Sequence, residues 1–478
     1  WAAGGRPPPA RPPRRPNIVW IMADDLGWGE VGLFPANSTH GRLDTPHLDQ
    51  LGREGVVFSD AYAGYTVCAP SRTAFFTGRH SGHFHKLGID GASIAPEQNV
   101  TTLAQMLQSA GYATGAFGKV APLTAPMQQG FDAFLGQVDQ ALCHNMYPRE
   151  IDFEHGQLNF KLEGNFAPKN RDLCMAHPEN YNYTIDVFHA AGMSWLENVT
   201  RSAKPFFLYL AYTIPHPGGW ADAPDSPEDG NPVPTDLQYA NREWPAVERD
   251  HAAVVSYLDI KVGDVVKRLR SLGLEEKTLV IFASDNGAHQ EGGHHVGFFD
   301  STGGLRGYKR SLFEGGTRSP SMAWWPGTIS PGRRSSFQWA FWDAWPTLAE
   351  LAGAEMPGGS DGVSIVPTLL GEAQDEREYL FWTWPGAGAG PSGYAVRVGP
   401  WKGVVPHCTS SAGELRPSPG DEMQLYNLTS DPGEATDVAR AHPGVAASLR
   451  RLVESKNVTC DCFQCDIRRS GPPQAKFV

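Results

Sequence analysis

The chain reads as an α/β protein built on a mostly parallel sheet, followed by a smaller α+β unit. Three observations predict this. Apolar runs of strand length alternate with amphipathic helical patterns through the first half. The text after about residue 375 changes to short strand-like runs. The 478 residues also exceed what one hydrophobic core holds, so a large domain with a smaller companion is expected.

Residues 1–16, "WAAGGRPPPARPPRRP", are dense in Pro, Gly and Arg and lack the apolar core of a signal peptide, which suits a flexible leader. A large domain over 17–374 follows. "NIVWIMADD" (17–25) is a buried strand ending in two aspartates, and "TPHLDQLGREG" is a helix with Thr45 as cap, Pro46 in its first turn and a glycine stop. "VVFSDAYAG" is a strand, "LAQMLQSAGY" a helix, and "ATGAFGK" a strand ending at Lys119. Between 121 and 183 the periodicity fades, and a long, disulfide-braced loop region is expected there. A helix near 184–198, the strand "PFFLYLAYTIPH", a long helix within 250–272 and the strand "TLVIFASDNG" (278–287) resume the pattern. In a second domain, 375–478, the runs "EYLFWTW", "YAVRVGPWKGVV" and "MQLYNL" predict an antiparallel sheet, with a last helix near 443–456 and a Cys-rich tail.

Hydrophobic residues make up 41% and charged ones 19%, a balance that folds rather than stays disordered. The net charge of −12 speaks against nucleic acid or an anionic membrane as a partner held by a broad surface. No membrane span is expected, since the most apolar run, "PFFLYLAY", is only strand-sized. Six N-x-S/T sequons, at Asn37, Asn99, Asn182, Asn198, Asn427 and Asn457, together with clustered cysteines favour the secretory pathway, with a lysosomal or extracellular destination. Homo-oligomerisation is left open.

Seven cysteines leave one unpaired in an oxidising compartment, and Cys68 is the candidate. Cys143 with Cys174, and a knot in the "CDCFQC" tail, are the expected bridges; a zinc site in that tail is the competing reading.

Two apolar strands end in the oxygen-rich pairs Asp24-Asp25 and Asp285-Asn286, where open α/β sheets bind ligands. Each aspartate could merely cap a turn, but converging pairs suit a hard divalent cation, calcium or magnesium rather than zinc. Cys68, ahead of "APSRTAFFTG", fits a helix start, where a thiolate is favoured, although a free cysteine is also often simply buried. A thiol does not suit a calcium ion.

"CAPSRTAFFTGR" resembles the signature of the type I sulfatase family, C-x-P-S-R followed by T-G-R. "PNIVWIMADDLGWGEVG", "GYATGAFGK", "TIPH", "SDNG", "LRGYKRSLFEGGTRSP" and "LYNLTSDPGE" are similar to family blocks in the family order. The resemblance implies an alkaline phosphatase-like fold: a large mixed sheet sandwiched by helices, with a small C-terminal antiparallel sheet packed on a helix. It implies that a formylglycine-generating enzyme oxidises Cys68 to formylglycine, whose hydrate supplies the oxygen ligands that one calcium ion accepts. One geminal hydroxyl, held by Arg72 and Lys119, would attack sulfur, and the second would later expel sulfate. Asp24, Asp25, Asp285, Asn286 and the modified Cys68 would ligate the ion. Lys119, His216 and Lys309 would contact the sulfate, the last two serving the leaving oxygen.

The common family pattern G-K-W-H-L-G places a histidine where this chain has Ala121. "TGRHSGHFH" and "HNMYP" resemble a branch lacking that histidine, so His83 or His144 is expected either to serve as the base or to be an ordinary loop histidine. "HQEGGHHVGFFD" invites a zinc site through His289, His294 and His295, but a flexible pocket rim offering polar groups to sugar hydroxyls is preferred. The function implied is hydrolysis of a sulfate ester of a carbohydrate or aryl alcohol. The alternatives are a phosphodiesterase or phosphonate hydrolase of the same superfamily, and a catalytically retired sulfatase-like binding protein.

Overall fold

The computed structural model describes residues 15–89, 91–153, 158–220, 230–356, 359–384, 393–406, 410–411, 414–415, 422–456 and 458. Ten strands form one mixed sheet in the order Arg333–Ser335, Val56–Phe58, Ser321–Trp324, Thr278–Ser284, Asn17–Asp24, Phe206–Pro215, Ala113–Lys119, Ala133–Gln137, Glu150–Phe153 and Leu158–Lys161. The five strands from Thr278–Ser284 to Ala133–Gln137 are parallel, and antiparallel strands flank them. The central strands are apolar on both faces because helices cover both, which is why they read as continuous hydrophobic runs. Cys68–Thr77 and Ala344–Ala352 contribute to one core; Thr184–Val199 and the long helix Ala246–Ser271 contribute to the other.

Three expectations are corrected. The 121–183 region is not a loop: it adds the Ala133–Gln137 strand and the Glu150–Phe153/Leu158–Lys161 hairpin to the sheet. Cys143 and Cys174 are free, buried thiols and not a bridge. Cys143 Sγ donates to the Gln140 carbonyl at 3.0 Å, while Cys174 packs into the core from the helix Arg171–Ala176, so neither side chain meets the other. "VVFSDAYAG" divides, with Val56–Phe58 in the main sheet and Ala61–Tyr62 paired to Trp339–Ala340. The "CDCFQC" tail lies outside the described residues.

Strands Leu380–Trp384, Gly393–Val398, Trp401–Val405 and Gln424–Asn427 form a separate antiparallel sheet. The helix Pro443–Ser455 buries Ala446, Leu449 and Val453 against Phe381, Tyr394, Val396 and Leu425. This small domain is pinned to the large one by buried ions: Lys402 Nζ lies 2.8 Å from Glu314 Oε1 and 3.1 Å from Glu434 Oε1. The Trp382 indole donates to the Ala63 carbonyl at 3.0 Å, fixing the segment that leads into Cys68.

Candidate active site

Four neighbouring parallel strands deliver their carboxyl ends to one place. Ala23 pairs with Ser284 and Asp24 with Pro215, so Asp24-Asp25, Asp285-Asn286 and His216 leave adjacent strands side by side. Lys119 ends the next strand over; Gly118 before it has φ +110° and lies so close to Ala211 that a Cβ would sit 2.0 Å from its carbonyl oxygen. Cys68 enters from above as the first residue of its helix, with its thiol donating to Asp24 Oδ1 at 3.1 Å.

The structure thus brings together Asp24, Asp25, Cys68, Arg72, Lys119, His216, Asp285, Asn286 and Lys309, all buried. Arg72 donates through Nε to Asp285 Oδ2 at 2.8 Å and through Nη1 to the Lys119 carbonyl at 2.7 Å. Lys119 Nζ donates to Asp24 Oδ2 at 2.6 Å, and Lys309 Nζ to Asp25 Oδ2 at 2.8 Å. Asp25 holds φ at +68°, a strained backbone of the kind concentrated at functional sites.

Burial pushes the Asp24 carboxyl up, yet Lys119, His216 and Arg72 outweigh it and hold it well below the usual range. Asp285 is pushed up to about 7 by burial and by the Asp24 charge, and Asp25 is raised by burial in spite of Lys309. Such crowding is what a divalent cation would offset. The donors fit one: three carboxylates, and Asn286 Oδ1, which is buried without a hydrogen-bond partner among the described residues. Asp24, Asp25, Cys68 and His216 each place a donor atom within 4.8 Å of the others. Burial and the Asp24 charge drive the Cys68 thiol well above its ordinary pKa, against the pull of the helix start toward a thiolate.

The two candidate histidines separate. His83 is held away from the site, with Nδ1 2.8 Å from Asp361 Oδ1 and Nε2 3.0 Å from the Lys456 carbonyl. His144 stands in the site: its Nε2 is 3.1 Å from Lys119 Nζ, and its ring stacks on His216 with centroids 3.8 Å apart. An ammonium only donates, so His144 Nε2 presents a lone pair. His216 Nδ1 must donate to the Pro217 carbonyl at 2.6 Å, so its Nε2 likewise accepts from Lys309 at 3.0 Å. Burial and the neighbouring cationic groups hold both imidazoles well below their ordinary pKa.

His289, His294 and His295 do not converge on a zinc site. His295 is exposed, His289 Nε2 binds the Pro215 carbonyl at 3.0 Å and His294 Nδ1 meets Glu248 Oε2 at 2.7 Å. Glu291 from the same loop does reach the pocket, 2.9 Å from Lys309 Nζ, and Arg310 pairs with it. Glu291 lies in no family block, only in the polar loop read as the rim, and Arg310 lies in the block "LRGYKRSLFEGGTRSP", where Lys309 alone was given a role.

The profile of the family named Sulfatase matches residues 16–354, and that of the N-sulphoglucosamine sulphohydrolase C-terminal region matches 297–457. Human arylsulfatase A is 32% identical over 92% of this chain and 87% of its own. Mouse steryl-sulfatase is 31% identical (90% and 79%), and the N-acetylgalactosamine-6-O-sulfatase of Bacteroides thetaiotaomicron 27% identical (92% and 93%). Among solved structures, Ps i-CgsB in complex with k-i-k-neocarrahexaose superposes with a TM-score of 0.72, at 25% identity over 93% of each chain. Fold and relatives together define a sulfuric ester hydrolase. The chain belongs to the type I sulfatase family.

Proposed function

We propose that this protein hydrolyses an O-sulfate ester of a carbohydrate or aryl alcohol, with formylglycine formed from Cys68 as the group that attacks sulfur. The observation that carries this is the seat of Cys68, 3.1 Å from Asp24 Oδ1 and ringed by Arg72, Lys119 and Lys309. Asp24, Asp25, Asp285 and Asn286 would hold a calcium ion, which when bound supplies positive charge to polarise the ester oxygens. Three carboxylates (Asp24, Asp25, Asp285) balance three cations (Arg72, Lys119, Lys309), so a bound divalent ion leaves a net positive pocket for an anionic ester.

Each residue then has a task. Arg72 is fixed by Asp285 and, with Lys119, orients residue 68. Lys309 donates toward the leaving oxygen, where fixed charge helps most as negative charge develops. His216 offers a lone pair rather than a proton, so it orients Lys309. His144, whose Nε2 lone pair faces Lys119, takes the place of the base missing at Ala121. This supports a working enzyme over a retired scaffold. A phosphonate monoester hydrolase of Agrobacterium radiobacter shares the fold, with a TM-score of 0.61 at 19% identity, but that likeness speaks to the fold alone.

Among the described residues no helix is long and apolar enough to cross a membrane. Exposed sequon residues Asn37, Asn99 and Asn198 fit passage through the secretory pathway toward a lysosomal or extracellular site, where a formylglycine-generating enzyme would act on Cys68. The test is peptide mass analysis of the Cys68 segment, with inorganic sulfate release from sulfated sugars and aryl sulfates measured on the same material. An unmodified thiol with no sulfate released would reject the proposal.

A further inference from the structure

We infer that Glu291 and Arg310 form the subsite for the alcohol half of the ester, and that they select a hydroxyl-bearing sugar over an aryl or steroid alcohol. The inference rests on the sulfatase function proposed above and goes further, to the substrate class.

The direction of the pocket mouth comes from exposure. Side-chain exposure climbs from 0% at Asp25 through 4% at Lys309 and 5% at His216 to 18% at Glu291 and 29% at Arg310. With Lys309 donating toward the leaving oxygen, as proposed above, an alcohol bound there next meets Glu291 and Arg310 on its way to solvent. Glu291 Oε2 accepts from Lys309 Nζ at 2.9 Å and lies 3.9 Å from His216 Nε2, and its other oxygen accepts from Arg310.

Both rim residues are held by their backbones. The Glu291 amide donates to His289 Nδ1 at 3.2 Å, and His289 is itself tied to the Pro215 carbonyl at 3.0 Å, one residue before His216. Arg310 donates its amide to the Thr66 carbonyl at 2.9 Å and holds φ at +72°, a region costly for a side chain of its kind. That strain is spent on aiming the guanidinium at the rim.

A carboxylate has about four lone-pair positions and a guanidinium five N–H donors, so pairing with each other and with Lys309 leaves acceptors and donors unspent. Side by side they match a ring hydroxyl that donates to Glu291 while its neighbour accepts from Arg310. An aryl or steroid alcohol offers neither group and would desolvate the ion pair without compensation.

The test compares esters of equal leaving-group quality, because Glu291 also touches Lys309 and its loss would slow every alkyl sulfate. Wild type, Glu291→Gln, Glu291→Ala and Arg310→Met are assayed on hexose 2-, 3-, 4- and 6-monosulfates, with cyclohexyl sulfate and cyclohexylmethyl sulfate as hydroxyl-free counterparts. The readout is the ratio of kcat/KM for the best hexose sulfate to that of its counterpart. Hydrogen bonds to charged groups predict a wild-type ratio above about 30, falling roughly tenfold or more in Glu291→Ala and Arg310→Met and less in Glu291→Gln, which keeps an acceptor. A ratio unchanged within about twofold, or a wild type that prefers the hydroxyl-free esters, overturns the inference while leaving the sulfatase function intact. Failure of wild type on every hexose sulfate while an aryl sulfate is still hydrolysed overturns this inference alone; failure on the aryl sulfate as well removes the proposed function and this inference with it.

Discussion

Replacing His144 by alanine separates catalysis from folding in one variant. Two quantities decide the outcome. Lys119 keeps its 2.6 Å bond to Asp24 when the imidazole is gone, so no buried charge is stranded. What the fold loses is the stack on His216, worth about 0.5–1.5 kcal/mol, against a typical stability of about 5–15 kcal/mol. What turnover loses is a positioned base, a factor of roughly 100 to 10,000, or about 3–5 kcal/mol of barrier. The greater loss falls on the rate, so the thermal midpoint should move by a few degrees at most while sulfate release drops at least about 100-fold. The assay is initial sulfate release at saturating substrate, normalised to the fraction of Cys68 converted as read by peptide mass. The paired control, His83→Ala, removes the contacts to Asp361 and Lys456 and should cost roughly 1–3 kcal/mol of stability with the normalised rate unchanged. A His144→Ala rate within about threefold of wild type would refute the assignment.

Chelation followed by calcium addition should raise the thermal midpoint, by the equivalent of about 2.7 kcal/mol at a hundredfold excess over Kd, and the rise should vanish in Asp24→Ala; a shift that survives in that variant places the ion elsewhere. Glu434 is driven up to about 7 by burial against the pull of Lys402, so it stays protonated in the folded state where the unfolded chain has already ionised. Its contribution is therefore complete below about pH 4.5 and fades as the pH rises toward 7, and Glu434→Gln should flatten that part of the stability profile; an unchanged slope in urea titrations across the window would contradict it. An aryl sulfate should outpace the matching aryl phosphate diester by roughly 100-fold or more, because the second ester group leaves one cation of the pocket unpaired; equal rates would favour the phosphodiesterase alternative.

The central strands were legible because burial on both faces turns them into unbroken apolar runs, and their acidic ends marked the ligand side of the sheet. The Ala133–Gln137 strand was not, since five residues carry too little periodicity and its place is set by pairing with Gly115–Lys119, a partner its own residues do not encode. The bridge between Cys143 and Cys174 failed for a related reason: spacing says nothing of direction, and here one thiol turns to the Gln140 carbonyl and the other into a helix core. Motifs identified Cys68, Arg72, Lys119, His216 and Lys309, and the structure brings them together. They could not choose between His83 and His144, because that choice depends on which loop folds over the Lys119 strand end.

On the function proposed above, His144 stands in for a side chain that the common family pattern carries elsewhere. In the common pattern the base stands two residues after the lysine, on the same strand end. Here that position is Ala121, itself buried, and the imidazole comes from residue 144, beyond the next strand, to put Nε2 3.1 Å from Lys119. The chemistry requires a lone pair at a point in space and is indifferent to the backbone that carries it. His144 also arrives stacked on His216, so two neutral rings share one wall of the pocket, each accepting from a different lysine.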